Sequence, residues 1–215
     1  FGVNQAFDKV ILKPVTFAYR SLTPDFFRKG VSNFLHNLKS PVILVNDILQ
    51  GEIGRAGDTV ARFVINSTVG IFGLVDVAEN LGFEQHNEDF GQTLAVWGFG
   101  EGPYLMLPIL GPSNPRDAIG RVVDFFVDPI NWWVAPDDNR IPIIRTAVSA
   151  IDLRDRLWEN LEEIDKNSID PYASYRSMYR QRRNDEIRNG SNSQSKTDLE
   201  PTKPIYELAE PNLTE

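Results

Sequence analysis

From Val31 onward, apolar side chains recur at Val31, Phe34, Leu35, Leu38, Val42, Val45, Ile48 and Leu49, steps of three and four that draw one stripe along a helix. Pro41 falls inside that stripe and predicts one helix or a pair broken there, with Gly51 as the stop. A second helix is expected from Asp58, a good N-cap after Gly57, carrying Val60, Phe63, Val64 and Ile65 until Gly70 and Gly73 loosen it. Ile144, Val148, Ile151, Leu157, Leu161 and Ile164 predict a long amphipathic stretch. Its other face carries Arg154, Asp155, Glu159, Glu162 and Glu163, as a solvated outer helix would. Asp170-Pro171 is the clearest start signal, an aspartate cap with proline at the first helical position, and Gly190 ends the helix it opens. Alternation of period two is scarce, so the chain reads as mainly α.

Between Phe90 and Asp117 this periodicity fails. The only charge before Arg116 is Glu101, and glycines and prolines forbid a continuous helix. Backbone of this kind is stable at membrane depth only where protein covers it or a wet cavity accepts its hydrogen bonds, so the segment predicts a lipid-facing or pore-lining device. No stretch approaches the roughly 20 apolar residues of a spanning helix. The longest uncharged apolar runs, Phe63 to Val75 and Gly102 to Pro115, suit buried core helices or re-entrant and interfacial segments.

The 215 residues suffice for one domain, expected over 1–190, with a flexible tail over 191–215 where three prolines and little apolar surface follow Gly190. A net charge of −8 argues against wholesale nucleic-acid binding. Absence of cysteine removes disulfides, thiolate nucleophiles and thiolate metal sites together. The start at Phe1, with no methionine or leader, is expected for a mature or trimmed form.

Five ordered blocks carry a resemblance: LKPVTFAYRSLTP, RKGVSNFLHNLKSPVILVNDILQG, ARFVINSTVGIFGLVDVA, FGQTLAVWGFGEGPYLMLPILGPSNPRDAIG and DPYASYRSMYRQRRND. From about Asn4 to Ile187 the chain resembles the MlaA/VacJ family of outer-membrane lipid-asymmetry lipoproteins. The resemblance implies a single-domain ring of short amphipathic helices with a central polar channel and no significant β-sheet. It implies residence in the outer membrane of a Gram-negative bacterium, embedded from the periplasmic side. Such proteins remove mislocalised phospholipids from the outer leaflet and pass them to a soluble periplasmic lipid carrier, in association with porin trimers. Neither cofactor nor metal is implied, and no enzymatic role. The family is tethered by an acylated N-terminal cysteine, which this chain does not hold; removal with the leader is the expected account.

A phospholipid path must be wet on one side and apolar on the other. Outer-belt candidates are Val42, Ile43, Leu44, Phe63, Val64, Ile71, Phe72, Leu74, Leu105 and Leu107, with Ile109 and Leu110; core packing explains any one of them equally well. Trp97, Tyr104, Trp132 and Trp133 fit either interfacial aromatics at headgroup depth or buried anchors. For the wet side, Asn37, Asn46, Asn66, Ser67 and Thr68 are neutral dipoles set among apolar residues, and helix caps are the competing account. Ser32, Asn33 and Phe34 match a family region near the channel mouth and are the first gating candidates. Glu101, isolated in its segment, either faces the channel or caps a neighbour.

Other motifs carry less. Gly98 to Pro103 lacks both the GxGxxG spacing and a preceding strand, which rejects a dinucleotide site. His86 to Asp89, HNED, reads as a solvated loop rather than a cation site. Arg176, Arg180, Arg182, Arg183 and Arg188 form the main basic patch, facing headgroups or pairing with local carboxylates. Three functions remain: a phospholipid-conducting ring, a helical scaffold that only binds porins or carriers, and, last, a lipid hydrolase.

Overall fold

Several helix starts in the second half of the chain are fixed by side chains that accept orphan backbone N–H groups. Asp89 accepts from Gln92, Asn114 from Asp117 and Asp170 from Ala173, and the last two caps are followed by proline at the first helical position. The computed structural model describes residues 1–134 and 140–189; the expected tail over 191–215 and the Gly190 stop lie outside them. The helices are α1 (Gly2–Phe7), α2 (Lys13–Leu22), α3 (Asp25–Gln50), α4 (Ile53–Thr68), α5 (Val77–Asn80), α6 (Phe90–Val96), α7 (Pro115–Val127), α8 (Arg140–Arg156), α9 (Trp158–Asn167) and α10 (Pro171–Ile187). A π-helical turn over Asp8–Leu12 joins α1 to α2.

The choice between one helix and two at Pro41 is decided for one, and two expectations are corrected. Helix α3 runs through Pro41 unbroken, although proline in a helix interior costs about 3 kcal/mol. Both sides of it are clamped, Asn37 to Ser67 at 2.9 Å and Asn46 to Asp124 at 3.0 Å. Helix α4 starts at Ile53 rather than Asp58, directly after Gly51 turns the chain with φ 80°. The single amphipathic stretch after Ile144 is two helices, parted at Leu157. The small exception to an all-helical chain is β1 (Leu105–Leu107) against β2 (Gly111–Ser113), antiparallel, with Leu105 opposite Ser113.

Helix α3 packs on α4, α6 and α8; α6 packs on α7 and α10; α10 packs on α9; and α9 packs on α8. Followed from α3 through α6, α10, α9 and α8, these contacts return to α3, so the helices close a ring. The N-terminus crosses back to the hairpin. Asn4 donates to the Leu107 carbonyl and accepts from the Ile109 N–H, each at 2.8 Å.

Burial along the ring is inverted relative to a water-soluble protein. Among the described residues the buried hydrophobic side chains are only Val42, Ile43, Ala56 and Ala78, whereas nineteen polar or charged residues are buried. On α4 the buried positions Ala56, Thr59, Arg62 and Asn66 recur at helical spacing, while Ile53, Val60, Phe63 and Val64 are exposed. Val42 and Ile43 thereby leave the expected belt. The turn of helix that points Ser40, Asn46 and Asp47 inward carries both with it, and Ile43 lines a small space with Thr59 and Arg62. No described helix is long and apolar enough to cross a membrane.

Candidate functional site

The polar interior is a set of linked hydrogen-bond chains rather than isolated groups. In one, Arg55 donates to Glu88 at 2.7 Å, and Gln50 to Glu88 at 2.8 Å and to Thr93 at 3.3 Å. Thr93 donates to Asn46 at 2.7 Å, and Asn46 to Asp124 at 3.0 Å. In a second, Thr59 donates to Asp47 at 2.7 Å, and the His86 Nε2 lies 3.1 Å from both Asp47 carboxylate oxygens. The HNED segment is therefore no solvated loop: Glu88 is fully buried and His86 largely so, because α3 and α4 supply their partners. His36 donates from Nε2 to the His86 carbonyl at 2.9 Å, and burial pushes its imidazole down to about 4, so it is neutral at physiological pH.

A third assembly joins α10 to α6 and α7. Arg183 donates to both oxygens of Asp89, at 2.7 and 2.6 Å, and to Asp117 at 3.0 Å. Tyr179 donates to Asp117 and accepts from Asn114 at 3.1 Å. The helices can approach because Gly91 and Gly120 lack side chains: a Cβ on Gly120 would lie 2.3 Å from the Gly91 nitrogen.

Of the expected wet-side residues, Asn33, Asn37, Ser67 and Asn66 are gathered around the turn after α4. Asn33 donates to the Leu74 carbonyl at 3.4 Å, Asn37 donates to Ser67, and Asn66 accepts from the Val77 and Ala78 N–H groups at 2.9 and 3.0 Å. Asn66 is thus a cap for α5, the competing account. Thr68 bonds back to the Val64 carbonyl at 2.7 Å and is exposed. Asn46 lies in the first buried chain. Ser32 faces Asp152 on α8 at 3.4 Å, with Phe34 half-buried beside it in sequence. Glu101 lies apart from these, 3.4 Å from Arg180.

On the outside, Phe63, Val64, Ile71, Phe72, Leu74, Leu105, Ile109, Leu110, Trp97 and Trp132 are exposed, and Leu44 and Leu107 are half-buried. Tyr104 is a half-buried anchor instead: its ring meets Tyr172 at 5.7 Å and Tyr179 at 5.9 Å, and desolvation of the hydroxyl pushes it up to about 12. The Trp97 Nε1 donates to the Leu49 carbonyl at 3.0 Å, and Trp132 stacks on Phe126 at 5.9 Å. The Trp133 side chain lies outside the described residues. The basic patch resolves mostly into pairs, Arg182 with Glu186 at 2.8 Å and Arg183 in the buried assembly.

Sequence reading missed Asp47, Glu88, Asp89, Asp117 and Asp124 as interior groups. Their one visible signal was position: Asp89 immediately precedes an apolar helix, and Asp117 follows Asn-Pro by the spacing of a capped first turn.

Residues 1–186 match the family model described as MlaA lipoprotein. The chain belongs to the MlaA lipoprotein family. It is 33% identical over 186 residues, 85% of this chain and 72% of the other, to the Escherichia coli protein named intermembrane phospholipid transport system lipoprotein MlaA. An uncharacterized Rickettsia bellii protein is 36% identical over 184 residues, 85% of this chain and 71% of its own. A chain solved in work on the "Structural basis for maintenance of bacterial outer membrane lipid asymmetry" superposes with TM-score 0.72 at 31% identity, covering 86% of this chain and 96% of that one. The mainly helical ring is thus the MlaA fold.

Burial raises one carboxyl of this interior well above the usual carboxylate range. Asp124 is pushed up to about 6, chiefly by desolvation against the opposing bonds from Phe90 and Asn46. A carboxyl raised in the folded state stabilises the fold below its unfolded value and loses that contribution as pH rises toward the folded one. The melting temperature of the detergent-solubilised protein should therefore fall between about pH 4 and 6. Asp124→Asn should flatten that slope; an unchanged slope would assign it elsewhere.

Proposed function

We propose that this chain is the outer-membrane component of a phospholipid transport system, removing mislocalised phospholipids from the outer leaflet and passing them through an amphipathic channel to a soluble periplasmic carrier. The observation that carries the reading is the inverted burial: polar side chains turned inward and large apolar ones outward around a closed ring of helices. Pulling two acyl tails into water costs on the order of 20 kcal/mol at about 0.8 kcal/mol per methylene. A headgroup in bare hydrocarbon is equally disfavoured. A ring with a wet inside and an oily outside lowers both costs at once.

The exposed apolar arc fits residence in the periplasmic-side leaflet of a Gram-negative outer membrane without a spanning helix, and a porin trimer offers a second apolar wall beside it. The family relationship and the name of the Escherichia coli relative support the same reading. Ser32, Asn33 and Phe34 are proposed to gate, since they occupy the ring where α3 meets α8 and the Leu74 turn.

Reconstitution tests this. Vesicles carrying the protein with its porin are mixed with the soluble carrier, and fluorescent phospholipid transfer is followed. Transfer should depend on the protein, and Asn33→Leu should slow or misdirect it by roughly tenfold, the effect of about 1.4 kcal/mol at one constriction. Protein-dependent binding of porin and carrier with no transfer would instead establish the scaffold. Lyso products in the recovered lipid would establish a hydrolase.

A further inference from the structure

Between α3, α4 and the segment before α6 lies a small space lined by His36, Ser40, Ile43, Thr59, Arg62 and His86. Ile43 is its one apolar wall. Ser40, Thr59 and Arg62 are polar and yet each only 4% exposed. Buried polar atoms are almost always hydrogen-bonded, and one that finds no partner in the protein takes it from solvent or from a bound ion.

Arg62 holds such an atom. Its Nη1 donates to the Phe83 carbonyl and its Nη2 to Asp76 at 2.5 Å, whereas its Nε is buried and bonded to no protein atom. Leaving a buried donor of a charged group unpaired is more costly than leaving a neutral one.

The other lining residues offer acceptors. Ser40 reaches the His36 carbonyl only at 3.5 Å, the outer limit of a hydrogen bond, so its oxygen is little used. Thr59 spends its hydrogen on Asp47 and keeps an oxygen lone pair. His36 spends its Nε2–H on the His86 carbonyl, which leaves Nδ1 as an acceptor in the neutral ring. One donor and three acceptors suit an occupant that accepts once and donates twice.

Size and charge narrow the choice further. The room is about 10 Å³, the threshold for one water molecule and too little for two. An anion would sit close to the Asp47 and Asp76 carboxylates, which bond to the lining residues Thr59, His86 and Arg62. A cation would meet the Arg62 guanidinium, with no carboxylate among the lining residues to hold it. An apolar occupant would leave the Arg62 Nε unpaired. What remains is neutral, of one-water size, and both donor and acceptor.

We propose that this site holds a single ordered water molecule, which accepts from the Arg62 Nε, donates to two of the acceptors on His36, Ser40 and Thr59, and pins α3 to α4 and to the His86 segment. Three hydrogen bonds are the usual number for a buried water that forms part of a fold. The site stands apart from the transport reading, because its occupancy is read without lipid transfer.

Crystals of the detergent-solubilised protein, at a resolution that shows ordered solvent, test this. The expected result is one density peak about 2.7–3.2 Å from the Arg62 Nε and equally close to two of the acceptors. Companion crystals soaked in bromide or pressurised with xenon should show no anomalous signal there. A bromide signal would make it an anion site, and a xenon signal a dry apolar void; either would overturn the proposal. So would the absence of any peak within hydrogen-bond reach of the Arg62 Nε. Ser40→Ala removes one acceptor and leaves two, so its crystals should keep the peak; loss of the peak in that variant, with the helices unmoved, would overturn the assignment of three acceptors.

Discussion

Arg183→Met should destabilise the fold by about 3–5 kcal/mol, because removing one member of a buried ionic assembly leaves its partners uncompensated. The partners are Asp89 and Asp117, with the Arg183 and Asp117 side chains 8% and 5% exposed, and the guanidinium reaches both carboxylates at once. Burial alone would push the Asp89 carboxyl up; the Arg183 hydrogen bonds and charge outweigh that and hold it well below the usual carboxylate range. Asp89 also caps α6, and Asp117 receives Tyr179 and belongs to the Asn114 cap of α7. One side chain therefore ties α10 to two neighbouring helix starts, and loss of the tie opens the ring where α10 meets α6. Arg183→Lys keeps the charge but not the fork, so it should fall between the two. Denaturant unfolding in detergent, followed by circular dichroism, measures the series; a loss below about 1 kcal/mol for the methionine variant would mean that packing, not this assembly, holds α10.

That assembly was the part of the molecule least visible in the sequence. Helical periodicity and local caps operate over three or four residues, which is why Asp170-Pro171 and Gly51 were read correctly as a start and a stop. Arg183 and Asp89 are 94 residues apart, and nothing local distinguishes Arg183 from exposed Arg182 next to it. Pro41 illustrates the converse. Its local rule predicts a possible break, and contacts from Asn37 and Asn46 to distant residues overrule it.

The apolar stripe on α3 was detectable; which face of the helix turned inward was not. In water the apolar stripe goes inside by default. Here the interleaved set Asn37, Ser40, Asn46 and Asp47 is buried, and Ile48 and Leu49 are exposed. Val42 and Ile43 were misplaced for this reason, since each adjoins the inward arc on the helical wheel. The membrane assignment came from the family resemblance and from the uncharged, broken segment after Phe90, whereas the inverted interior is visible only in three dimensions.

A paired substitution separates inside from outside. Val64→Asp places a carboxylate on the exposed face of α4, where Val64 is 53% exposed, and Ile43→Asp places one where exposure is 1%. A charge facing lipid costs roughly 2.5 to 3.5 kcal/mol on insertion scales, so Val64→Asp should shift partitioning from vesicles to buffer by about a hundredfold. Its helical signal should persist, because an exposed side chain contributes little to packing. Ile43→Asp should do the opposite in kind: desolvating a further carboxylate one helical turn from buried Asp47 disrupts the fold itself, with loss of circular dichroism before any question of lipid arises. Flotation and circular dichroism on the same samples distinguish the two. If Val64→Asp floats with the vesicles as the parent protein does, α4 does not face lipid, and the membrane orientation of the ring must be redrawn.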